Sequence, residues 1–136
     1  MTNREIDFRV WARGWKPPRY VDHKFFQSSY NIIFNSPMYI AQQFTGLKDK
    51  NDKKVYEGDI INFTVRGVTH GPEADEVKNA EVWYSEEDLQ FVFGRYKGKL
   101  HSGDEYTYWY SMADRIDRKS IEVVGNIFEN KDLIKQ

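Results

Sequence analysis

The chain has no cysteine. That single absence excludes disulfides, thiolate zinc sites, iron–sulfur clusters and cysteine nucleophiles, and it fits a reducing compartment. Long apolar runs are missing too: no stretch approaches the roughly 18–20 residues needed to cross a bilayer. The opening, Met1-Thr2-Asn3-Arg4-Glu5-Ile6-Asp7, has no apolar run behind a basic segment. No signal peptide is read there, and the expected location is the cytoplasm.

No charge sign dominates. Lys and Arg number 20 against 21 Asp and Glu, a net charge of −1, which leaves no global field to attract a polyanion. The signs are unevenly spread. Arg4, Arg9, Arg13, Lys16, Arg19 and Lys24 make the first segment basic, while Glu73, Asp75, Glu76, Glu81, Glu86, Glu87 and Asp88 make the middle acidic. Solubility and internal pairing are reason enough for such a pattern.

Aliphatic side chains are scarce, with a mean hydropathy of −0.76. Aromatic residues instead make up 16% of the chain. They must supply much of the buried area, at about 150–250 Å² each, and they favour pleated surfaces. The 136 residues amount to one domain, 1–136, able to bury roughly two-thirds of its unfolded surface around one core.

Alternation predicts the strands. Ile6, Phe8 and Val10 alternate with Glu5, Asp7 and Arg9 as a half-buried strand. Gly14 and Pro17-Pro18 then make residues 13–24 a loop. Tyr30, Ile32 and Phe34 line one face of a short strand, Asn35-Ser36-Pro37 turns, and residues 38–44 form another strand. Thr45-Gly46 interrupts it, Asn51-Asp52 forms a hairpin tip, and Val55-Tyr56 returns. Glu57-Gly58 leads into a β-branched strand over 59–65, and residues 67–77, with Gly71-Pro72, read as an exposed loop.

A hairpin follows. Ala80, Val82 and Tyr84 alternate with Glu81 and Trp83, residues 85–88 form its tip, and Leu89, Phe91 and Phe93 return. Gly94, Gly98 and Gly103 make the next section irregular, and Asp104 is read as the cap of a short helix carrying Tyr108, Trp109, Met112 and Ile116. Residues 120–128 form a final strand, and Asn130 caps a turn whose Leu133 and Ile134 dock on the sheet. Many short strands with little helical period predict a mainly β fold, a small SH3-like or bent-sheet barrel with one or two short helices; α+β is the alternative.

Few constellations carry chemistry. A calcium loop started at Asp49 needs glycine at its sixth position and glutamate at its twelfth, and those hold Lys54 and Ile60. The cluster is a solvated hairpin tip. His23, His70 and His101 share no ligand spacing, so neither a metal nor any cofactor is expected. Gly94-Arg95-Tyr96-Lys97-Gly98-Lys99 lacks the spacing of a phosphate-binding loop. It reads as a flexible basic loop in which Arg95, Tyr96, Lys97 and Lys99 are candidate nucleic-acid contacts. Glu86-Glu87 and Asp104-Glu105 are only neighbours in sequence, which does not make an acid/base dyad. Tyr106, Tyr108, Trp109 and Tyr110 form the densest aromatic cluster, a candidate protein-interface anchor.

Three blocks resemble the YopX family of bacteriophage and prophage proteins. They are Arg4-Glu5-Ile6-Asp7-Phe8-Arg9-Val10-Trp11, residues 43–60 with Gly58-Asp59 at a strand start, and Glu122-Val123-Val124-Gly125-Asn126-Ile127-Phe128-Glu129-Asn130. Two positions depart from the family pattern. Asp52 stands where the family usually has glycine, which implies a different turn type, and Lys131 replaces a proline that pre-organises the terminal turn. The resemblance implies a small phage-encoded protein of the bacterial host cytoplasm, and it supplies no catalytic residue. The expectation is an accessory protein without enzymatic activity: a β-rich module that binds a protein partner and self-associates. A nucleic-acid-binding regulator is the alternative, and an enzyme with a composite carboxylate–histidine site ranks third.

Overall fold

β-branched and aromatic side chains draw most of this chain onto pleated surfaces. The computed structural model describes residues 4–26, 30–66 and 75–134. Its strands are β1 (Phe8–Ala12), β2 (Arg19–Val21), β3 (Tyr39–Lys48), β4 (Lys54–Tyr56), β5 (Asp59–Val65), β6 (Asp75–Ser85), β7 (Gln90–Lys99), β8 (Glu105–Tyr110) and β9 (Ile116–Asn126). They form two antiparallel sheets, ordered β2-β1-β3-β4 and β8-β7-β6-β5-β9. The fold is therefore mainly β in its bent-sheet form, the larger sheet curling into a half-barrel. Helical structure among the described residues is one six-residue helix, α1 (Tyr30–Asn35), and 3-10 turns at His23–Phe26 and Lys131–Ile134.

The main core lies inside the curl. Val55, Ile61, Phe63, Ala80, Val82, Phe93 and Ile121 are buried there. The Phe63 and Phe93 rings meet edge to face at 5.9 Å, and each contributes about 1.5–3 kcal/mol by leaving water. A smaller core surrounds Val10, with Phe8, Val21, Tyr39 and Ala41 against it. The sheets are joined by Trp11, whose ring stacks on Phe128 at 4.8 Å and 5°. The opening and closing sequence blocks thus touch.

Several expectations are corrected. The first strand starts at Phe8, and Ile6 before it is 76% exposed. Residues 13–24 are not all loop, because Arg19–Val21 pairs with β1. Tyr30–Asn35 is helix; a six-residue segment is too short for its period to separate helix from strand. β3 runs through Thr45-Gly46 to Lys48, absorbing the interruption as a register shift between Phe44 and Lys48. Asp52 adopts φ 64°, the left-handed conformation glycine would supply, so the turn is kept and the residue changed.

Residues 67–74 of the expected loop, His70 included, lie outside the described residues, and 75–77 already belong to β6. Leu89 sits in the hairpin turn at φ 53°, 76% exposed, not on the returning strand. Gly94 to Lys99 is strand, not flexible loop; Gly94, at φ 81°, forms a bulge between the Phe93–Tyr110 and Tyr96–Tyr108 pairs. The helix expected after Asp104 is β8. Leu100 N donates to Asp104 O at 2.9 Å, closing a β7–β8 hairpin that turns the aromatic run into a strand. Asn130 turns its side chain back, accepting from Asn126 N at 3.1 Å. Leu133 and Ile134 are half-buried, and Ile134 lies beside Asn79, Glu81 and Tyr96, docked on the larger sheet as expected.

Candidate interaction surface

Strands β7 and β8 carry all eight residues singled out for binding. Register pairs Tyr96 with Tyr108, Lys97 with Thr107 and Gly98 with Tyr106. Directly opposed residues share a face. One face therefore holds Tyr96, Tyr106, Tyr108 and Tyr110. Ring centroids are 5.2 Å apart for Tyr96–Tyr108, 5.8 Å for Tyr106–Tyr108 and 5.8 Å for Tyr96–Tyr110. Tyr110 continues inward to Phe63 at 5.6 Å. Tyr108 and Tyr106 are 40% and 45% exposed. A ladder of rings runs from the core to solvent.

Gly98 makes room for its outer end, since a Cβ there would stand 2.6 Å from the Tyr106 hydroxyl. Burial pushes the Tyr96 phenol up to about 12, with Tyr110 and Tyr108 adding to the rise, so it stays neutral.

The opposite face carries Arg95, Lys97, Lys99, Thr107 and Trp109. The sequence cluster is therefore split: Tyr96 leaves the basic residues and Trp109 leaves the tyrosines. Arg95 lies 3.9 Å from the Trp83 ring centroid and pairs with Glu81 at 3.6 Å. Trp83 meets Trp109 edge to face at 5.3 Å, and Trp109 Nε1 donates to Asp88 at 2.9 Å. Lys97 and Lys99 form no ion pair with another described residue. Sequence reasoning did not single out Trp83. Its signal was the outward position beside Glu81 in the alternating hairpin.

A second polar cluster joins the sheets. Arg9 on β1 donates to Gln42 Oε1 at 2.9 Å and reaches the buried Asp59 carboxylate on β5 at 2.8 Å. Its guanidinium lies between the Tyr20 and Tyr56 rings, 4.3 and 4.9 Å from their centroids. Burial raises the Asp59 carboxyl above its usual range, and Arg9 opposes that rise.

Nearby, Asp7 is a hub. Its Oδ1 accepts from Phe8 N at 2.9 Å and meets His23 Nε2 at 3.2 Å; its Oδ2 accepts from Lys54 at 3.1 Å and Tyr56 at 2.7 Å. Burial alone would raise this carboxyl, but the bonds from Tyr56, Lys54 and Phe8 hold it below the ordinary value. Both oxygens are occupied by donors, the arrangement of a clamp.

The remaining candidates disperse. Asp49 is buried, its carboxylate accepting from Asn51 N and Lys53 N at 2.9 Å each and from Val123 N at 3.0 Å. It is a turn brace on β9. His101 is exposed in the β7–β8 turn. Among the described residues no group of three or more His, Asp or Glu has metal-holding geometry. A cleft of about 520 Å³ lies between β3 and the β6–β7 hairpin, lined in part by Ile6, Phe44, Tyr84, Leu89 and Phe91. No described helix is long and apolar enough to cross a membrane.

Comparison with known proteins agrees with this architecture. The crystal structure of protein EF1440 from Enterococcus faecalis is similar in fold, with a TM-score of 0.51 at 18% identity, over 98% of this chain and 100% of that one. No curated protein matches the chain. Residues 19–135 match the YopX protein family. That span takes in the Asp49-braced hairpin, the Gly58-Asp59 turn and the closing block on Trp11. The chain belongs to the YopX protein family.

Proposed function

We propose that this is a phage- or prophage-encoded accessory protein of the bacterial host cytoplasm that acts by binding another protein, without catalysis. The observation that carries the reading is the outward end of the tyrosine ladder. Tyr106 and Tyr108 hold large, stiff rings in solvent on a strand anchored in the core. Rings so placed dominate protein contacts, because they bury much area while losing little side-chain entropy. Leu100, 55% exposed in the adjoining turn, extends the apolar surface. The test is partner capture from phage-infected cells with the wild type and with Tyr106→Ala/Tyr108→Ala. A partner held by the first and lost by the second, at unchanged melting temperature, supports the reading. Equal recovery by both overturns it.

A second reading, nucleic-acid binding, is favoured by Lys97 and Lys99, which share a strand face with Trp109 and form no ion pair with another described residue. Against it, Arg95 is engaged by Glu81, Tyr96 faces the other way, and Glu86, Glu87 and Asp88 lie at the tip beside the tryptophans. It requires affinity that falls steeply with salt as counterions are released. No binding at low salt removes it.

A further inference from the structure

Four strands end the two sheets: β2, β4, β8 and β9. An outer strand offers unpaired backbone groups, and folded proteins guard such edges with proline, charge, short length or a covering segment. Three of these four are guarded. β2 is three residues long, follows Pro17-Pro18 and opens with Arg19. β4 is also three residues long and begins with Lys54 after Lys53. β9 is covered by the β3–β4 tip: Lys50 N donates to Ile121 O at 2.7 Å, and Val123 N donates to Asp49 at 3.0 Å. β8 is the least guarded of the four: it is six residues long, its one charge, Glu105, stands at its first position, and no described segment covers it. It reads Glu105-Tyr106-Thr107-Tyr108-Trp109-Tyr110, without proline or lysine, and no described strand pairs with its outer side.

We propose that two copies of this chain join through β8, antiparallel about a two-fold axis, making one continuous ten-stranded sheet. The proposal rests on the reading of the tyrosine ladder as a protein-contact surface and names its occupant. Facing residues share a face in an antiparallel pair, so a two-fold seam must set tyrosine against tyrosine. With Thr107 facing its own copy, Tyr106 of each chain faces Tyr108 of the other.

Charge favours the same direction. Glu105 is the one formal charge in β8. Antiparallel pairing at that register places it opposite Trp109, with the two carboxylates roughly 14 Å apart. A parallel seam would align them. The strand is short, so the seam covers less than the roughly 1,000 Å² of a stable interface. Pairing is therefore concentration-dependent.

Sedimentation velocity between about 10 μM and 1 mM tests this. The expected result is a mass rising from one chain toward two, with Tyr106→Lys/Tyr108→Lys remaining at one chain throughout. Because that variant can also unfold, amide hydrogen exchange on the wild type is the second measurement. Exchange in β8 should slow about fourfold across that concentration range while β5 and β6 amides do not change. A wild type of single-chain mass at about 1 mM, or protection that grows elsewhere but not in β8, overturns the proposal. Such a monomer that still captures a partner through Tyr106 and Tyr108 overturns the pairing alone. A dimer that captures no other protein supports the pairing and overturns the preceding reading.

Discussion

The Asp49 carboxylate accepts a hydrogen bond from the Val123 backbone N–H at 3.0 Å, across 74 positions of sequence. The same side chain braces its own turn through Asn51 and Lys53, so one buried acid holds the β3–β4 tip against β9. Asp49→Ala leaves three backbone donors without their acceptor and is expected to cost about 2–4 kcal/mol. Urea denaturation measures it, and a loss under about 0.5 kcal/mol would refute the brace.

Acid should release that brace. Burial alone would raise the Asp49 carboxyl, but the bonds from Val123, Lys53 and Asn51 outweigh it and hold it below the ordinary value. A carboxyl depressed in the folded state stabilises fully above its unfolded pKa, about 3.9, and loses that contribution as pH falls through the folded value. Asp7 is depressed too and adds in the same direction. Stability should fall below about pH 4, with a shallower slope in Asp49→Asn. Identical slopes in the two proteins would sink this account.

Arg9 and Asp59 test the junction between sheets. Arg9→Met leaves a buried carboxylate uncompensated and should cost about 3–5 kcal/mol at neutral pH. Asp59 is already raised by burial, so this loss should shrink in acid as it takes up a proton. Arg9→Met/Asp59→Asn should recover at least half of the loss, because the Asn side chain can still accept from Tyr56 N, now 2.8 Å from Asp59. A double variant no more stable than the single one would show that packing by the Arg9 stem matters most.

Asp52 stands at φ 64°, a conformation that glycine adopts without strain. A left-handed residue with a Cβ is strained, while glycine loses more entropy on folding. Its side chain is exposed and only 3.7 Å from Lys48, a weak surface pair. Asp52→Gly should stabilise by about 0.5 kcal/mol, and Asp52→Ala should destabilise by about 1 kcal/mol. Thermal melts that rank the two in the opposite order would contradict the turn assignment.

Gly58→Ala is expected to be severe. Its φ is +85°, and the new Cβ would overlap the Gln42 side chain, with Cδ at 2.8 Å. A free glutamine would swing away. This one is buried and held by Arg9 and Tyr20, each 2.9 Å from Oε1. The strain and the displaced network together should cost about 2–4 kcal/mol. A melting temperature within experimental error of the wild type would show that Gln42 is not pinned.

Strands with clean alternation were legible from sequence. Ile61, Phe63 and Val65 on β5 and Ala80 and Val82 on β6 stand in the core as their spacing predicts. β8 was not, because adjacent Tyr108 and Trp109 fit a helix face as well as two strand faces; only the Leu100–Asp104 turn decides it. The tyrosines of the candidate surface were visible as composition, but their separation from Trp109 needed the β7–β8 register. Arg9 and Asp59 were invisible as a pair. They lie on different sheets, and sequence carries no sign of which distant charges meet.

The Asp49–Val123 bond also orders events in time. A ribosome adds about 5–20 residues per second, so roughly 4–15 s separate the making of the brace from the making of its donor. During that interval the β3–β4 tip has no β9 to rest on, and β5 has one bare side. Closure of the larger sheet on this side therefore waits for β9 to be made, and until then the nascent chain carries β5 with one edge open.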